Sequence, residues 1–88
     1  MNCNKIIEEN ITEELFLNEI EKAKNCVAKV LNMDIQDICE VANENVFVTL
    51  DNRKTTLCQR KIFSFKTGSI DCYMSHDLTF IEIFHHPN

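Results

Sequence analysis

One glycine and one proline in 88 residues leave little material for long irregular loops, so most of the chain has to enter regular elements. Phosphate-cradling loops are excluded with them: neither G-x-x-x-x-G-K-[ST] nor G-x-G-x-x-G occurs. There is no H-E-x-x-H and no C-x-x-C. No apolar run approaches the ~20 residues of a membrane span. The opening "MNCNKIIEEN" carries acids where a signal peptide would have a hydrophobic stretch, so a cytoplasmic protein is expected. Five cysteines, odd in number and widely spaced, are expected to be mostly small buried thiols (Cys3, Cys26, Cys39, Cys58, Cys72).

What is present is ordinary for one small globular domain, with 44% apolar and 26% charged residues. Charge is uneven. Residues 1–45 hold ten acids against four bases, and residues 46–88 hold four against five. An acidic first half argues against wrapping nucleic acid and permits docking on a basic partner.

In "NITEELFLNEIEKAKNCVAKVLN", Ile11, Leu15, Phe16, Ile20, Ala23, Val27, Val30 and Leu31 recur at helical spacing. This predicts an amphipathic helix over about 11–32, capped by Asn10 or Thr12, with Lys5–Glu9 as a helical lead-in. After Asn32 the period falls to two. "ENVFVTLD", "TTLCQRKIFSF", "SIDCYM" and "LTFIEIF" read as strands, with turns at "DN" and "KTGS". "DICEVA" reads as strand over a helical turn. The fold class is therefore α+β: one long N-terminal amphipathic helix on a four- to five-stranded antiparallel meander sheet over about 37–84.

Such a sheet owns more apolar strand surface than one helix covers. Leu78, Phe80 and Phe84 fall opposite Ile81 and Ile83, and Leu57, Phe63 and Phe65 opposite Cys58 and Ile62. The excess predicts an interface, a bulge that shifts the register, or a covering loop. The interface candidates are Ile81, Ile83 and Phe84 on the sheet and Glu13 and Glu14 on the helix; a protein partner or a homodimer would take that surface.

Candidate chemistry is sparse. Glu8, Glu9, Glu13 and Glu14 read as a solvated helix face rather than an acid–base pair. His85 and His86 on a strand would face opposite ways, so no metal or other cofactor is expected, and "HHPN" reads as a frayed chain end. A Cys72–His76 pair lacks anything to depress a thiol pKa, and no enzymatic activity is expected. The remaining feature is basic: Arg53, Lys54, Arg60, Lys61 and Lys66 lie in a stretch free of Asp and Glu from Asn52 to Lys66. These residues read as edge protection or salt bridging, or as a surface for nucleic acid with Phe63 and Phe65 interleaved.

Thr12–Leu15 ("TEEL"), the Leu50–Lys54 turn and the strand with Leu57, Cys58 and Arg60 resemble the C-terminal accessory domain of predicted prokaryotic restriction endonucleases, of the type I R-protein-like or type IV kind. The Cys–Arg pair is split here by Gln59, and no E-x-K or D-x-K tripeptide of a nuclease core is present. The resemblance implies a free-standing, non-nuclease module from a defence or counter-defence setting. Small size, acidity, the absence of catalytic motifs and the unaccounted apolar face give the expected role as docking on, and inhibiting, a nucleic-acid-handling protein in the anti-CRISPR or immunity manner. The alternative, carried by the five bases, is a nucleic-acid-binding accessory module using the basic 53–66 strand.

Overall fold

A computed structural model of the chain describes residues 2–50 and 52–87. Five strands, β1 (Lys5–Ile7), β2 (Cys39–Val48), β3 (Thr56–Phe65), β4 (Gly68–Ser75) and β5 (Ile81–Pro87), form one antiparallel sheet in the order β1-β5-β4-β3-β2. Among the described residues there is one α-helix, α1 (Glu13–Val30), which packs chiefly across β4 and β5, and a short 3-10 turn at Ile35–Asp37 that leads into β2. The α+β reading holds, but the chain begins with a strand. Lys5–Ile7 pairs with Ile81–Ile83 of β5 instead of leading into the helix. Its three residues are too few to carry a period.

The ends of α1 follow from local chemistry. Thr12 is the cap: its Oγ1 accepts the Leu15 N–H at 3.0 Å, and Glu13 and Glu14 occupy the first turn, where the helix dipole favours acids. Asn10, the other expected cap, lies outside the helix at φ 55°. At the far end, Asn32 takes φ 51° and donates to the Lys29 carbonyl, while Met33 donates to that of Ala28. This pair of bonds is a Schellman stop, with asparagine where glycine is usual. It ends the helix short of the expected residue 32.

The main core lies between helix and sheet. Phe16, Ile20, Ala23 and Val27 from α1 meet Phe63, Phe65, Ile70, Cys72, Met74, Ile81 and Ile83. Each fully buried large side chain here stabilises by ~1.5–3 kcal/mol. Ile81 and Ile83, expected at an interface, are completely buried in this core, because β5 turns them toward the helix. Val30 and Leu31 continue the stripe past the edge of the sheet and are exposed.

Two strand ends differ from expectation. His85, His86 and Pro87 are not a frayed tail; they belong to β5 and pair with Ile70, Ser69 and Gly68 of β4 (Asn88 lies outside the described residues). Cys3 and Cys26 are not free thiols. They form a disulfide that ties the segment before β1 to the helix. The buried Glu19 reinforces the same junction, its carboxylate held by Lys5 of β1 and by Lys22.

Candidate interaction surface

The far face of the sheet, away from α1, carries the second apolar set that the sequence requires. Cys58, Tyr73 and Phe80 are buried there, with Val48, Leu50 and Phe84 packed against them. Val48 and Leu50 come from the end of β2 and the segment after it, which folds back over the sheet. The backbone turns where the Arg53 N–H donates to the Leu50 carbonyl at 2.9 Å, with Asn52 at φ 59°. The expected "DN" turn therefore falls here, although Asp51 lies outside the described residues. Arg53 closes the cover: its guanidinium stacks 4.0 Å over the Phe80 ring, and its Nε donates to the buried Glu82 carboxylate. A covering loop thus absorbs most of the excess on this side, and Phe84 is half-buried beneath it. A shallow hollow of about 310 Å³ persists between Leu50, Tyr73, Phe84 and His86.

The basic residues do not form a free cationic surface. Arg53 bridges Glu82 and Glu8. Arg60 bridges Asp71 at 3.2 Å and Glu44 at 3.5 Å, with its guanidinium 5.6 Å from the Tyr73 ring centre. Lys61 lies 3.6 Å from Glu40. The hydrogen bond that Arg53 donates to Glu82 holds its guanidinium above its ordinary pKa. Burial pushes that of Arg60 down, but Asp71, Tyr73 and Glu44 outweigh it and raise it. Lys54 and Lys66 make no ion pair with another described residue and lie at opposite ends of β3. Five bases close in sequence are thereby dispersed over two faces and two turns.

The candidate nucleophiles are separated too. Cys72 faces the helix core, where burial, then Asp71, pushes its thiol up to about 12. Cys58 sits on the far face, its thiol raised by burial and by Asp77 and Glu82. His76, in the β4–β5 turn, lies 2.8 Å from the Asn45 side chain. Among the described residues, no three His, Cys, Asp or Glu side chains gather as a metal would need. No described helix is long and apolar enough to cross a membrane.

Comparison with protein-family models, curated proteins and solved structures found no match to this chain.

The surface that remains unaccounted for is β2. It ends the strand order, so one flank of its ten residues has no strand neighbour. The opposite edge is guarded by brevity, since β1 has three residues, and β5 beyond it ends in Pro87. β2 contains no Lys, Arg or Pro. Its one irregularity is a bulge at Glu40–Ala42, near its start. On its helix-side face, to one side of β4 and β5 where α1 packs, Phe47 is 73% exposed, the most exposed large apolar side chain of the described residues; Val41 at the bulge is 62% exposed. Alternation along β2 sets Phe47 on the face opposite Val46 and Val48. Glu13 and Glu14 are exposed in the first turn of α1, one helical turn from the exposed Leu17.

Proposed function

We propose that this chain is a non-catalytic docking domain that binds its partner by adding a strand at β2. One observation carries the reading: a ten-residue edge strand lacks the lysines and prolines that keep sheet edges from pairing, and it displays Phe47 beside its unpaired backbone. The ion pairs of Arg53, Arg60 and Lys61 favour this over phosphate binding, because those cations are already matched by carboxylates of the same chain. The resemblance at residues 12–15 and 50–60 supplies the setting, defence or counter-defence, in which the assembled domain would dock on and inhibit a nucleic-acid-handling protein. A cytoplasmic setting belongs to the same proposal. The Cys3–Cys26 disulfide is uncommon in reducing compartments and so bears against that setting; fractionation of expressing cells should nevertheless recover the chain with the cytoplasm, and recovery from an oxidising compartment would contradict this part of the proposal.

Photo-crosslinking tests the docking reading. A benzophenone amino acid at position 47 should give adducts in the expressing cell, whereas the same probe at Asn25, exposed on α1, should give none. Adducts at both positions alike, or at neither, contradict the proposal. Retardation of oligonucleotides at low salt that Arg60→Glu/Lys61→Glu abolishes would transfer the function to nucleic acid.

A further inference from the structure

The residues of β2 around Glu44 read the same in both directions. Val41-Ala42-Asn43-Glu44-Asn45-Val46-Phe47 runs apolar, apolar, amide, acid, amide, apolar, apolar. An antiparallel pair of identical strands related by a two-fold axis places each residue opposite the one equally far beyond the axis. We propose that the strand seated on β2 is β2 of a second copy, paired antiparallel about a two-fold axis at Glu44. Two five-stranded sheets then continue as one. This inference rests on the reading of β2 as a docking edge and names its occupant.

Side-chain chemistry selects that axis. About Glu44, Asn43 faces Asn45 of the second copy, Ala42 faces Val46, and Val41, left unpaired by the bulge within its own sheet, falls at the end where it meets Phe47. Moving the axis to Asn43 sets Ala42 against Glu44. Moving it to Asn45 sets Glu44 against Val46 and Asn43 against Phe47. A half-residue shift would set helix-facing side chains opposite far-face ones on one face of the joined sheet. The cost of the Glu44 register is two carboxylates meeting at the axis, which is unfavourable for bare charges. Here each Glu44 stands opposite Arg60 in β3, with the guanidinium 3.5 Å away, so the axis gathers two acids and two bases. The bulge limits the regular ladder at one end, and the side chains whose exposure is otherwise unexplained lie within reach of each other.

The test uses the purified chain with Cys39→Ser, since Cys39 is the exposed free thiol. On this background Glu44→Cys should form an intermolecular disulfide under mild oxidation, because a residue on the axis opposes its own copy with Cβ atoms ~4.5–5.5 Å apart. Asn43→Cys alone should not crosslink, but mixed with Asn45→Cys it should. Because Glu44→Cys also removes the Arg60 bridge, sedimentation of the unmodified sequence is the companion measurement. Its mass should rise toward twice 10.3 kDa with concentration. Asn45→Lys/Phe47→Lys, both exposed in the single chain, should weaken association by about tenfold or more. A strict monomer overturns the proposal, as does a dimer in which position 44 fails to crosslink. Position-47 adducts formed only with a different protein also overturn it, and they leave β2 standing as the docking edge.

Discussion

Replacing Arg53 with methionine tests whether the chain covers its own far face. Three contacts are lost together. The Glu82 carboxylate, whose side chain is 4% exposed, loses its cation, and breaking such a buried pair costs ~3–5 kcal/mol. The lower part of that range applies, since the Arg53 side chain is 20% exposed and water can reach the gap. Loss of the stacking over Phe80 adds ~1 kcal/mol, and the bond to the exposed Glu8 adds ~0–1 kcal/mol. The sum is about 4 kcal/mol, a large share of the ~5–15 kcal/mol that keeps a small domain folded. Urea unfolding followed by far-ultraviolet circular dichroism would measure it directly. The double variant Arg53→Met/Glu82→Leu removes both charges and should recover to within ~1 kcal/mol of the native sequence, because two apolar groups can replace a buried ion pair without penalty. A single variant that loses less than about 1 kcal/mol, or a double variant no more stable than the single, would refute the account of Arg53 as the lid of this face.

Further expectations concern the helix junction and the thiols. Reducing Cys3–Cys26, which closes a loop of 23 residues, should lower stability by about 3 kcal/mol, measured as a fall in Tm with and without reductant. Burial alone would raise the pKa of Glu19, but its bonds to Lys5 and Lys22 prevail and lower it. Its contribution is therefore present above the unfolded-state glutamate pKa of ~4.3 and is lost as pH falls through the depressed folded value. Glu19→Gln should flatten that acid limb of a stability–pH profile. With a thiol-specific reagent, Cys39 should react in the folded chain while Cys58 and Cys72 wait for unfolding, the latter held protonated by a pKa of about 12. Phe16→Ala, at a fully buried position of α1, should cost ~3–5 kcal/mol in the same urea experiment.

Much of the fold was legible because periodicity reports burial. Phe16, Ile20, Ala23 and Val27 named the helix face, and alternation separated Phe63 and Phe65 from Cys58 before any coordinates. The surplus of apolar strand surface was legible too, but its destination was not. Whether Val48 and Leu50 fold over the sheet depends on a turn after β2, which hydropathy does not encode. β1 escaped notice because "KII" is too short to show a period, and its role comes wholly from pairing with β5. The Cys3–Cys26 bond was invisible for a related reason, since spacing in sequence does not fix connectivity. The basic stretch was seen, but not its partners: Glu8, Glu44, Asp71 and Glu82 arrive from four other parts of the chain. The candidate site rests on Phe47, which the sequence reading did not single out, because its exposure depends on α1 packing across β4 and β5 rather than over the β2 edge.

Amide-resolved NMR spectra of the native chain, recorded on dilution from millimolar to low micromolar protein, test the central claim most directly. The account predicts concentration-dependent shifts confined to residues 41–47 and to Arg60 beside them, absent from the Asn45→Lys/Phe47→Lys variant. Shifts that instead map to Tyr73, Phe84 and His86 on the far face would contradict it, as would a spectrum unchanged across the whole range.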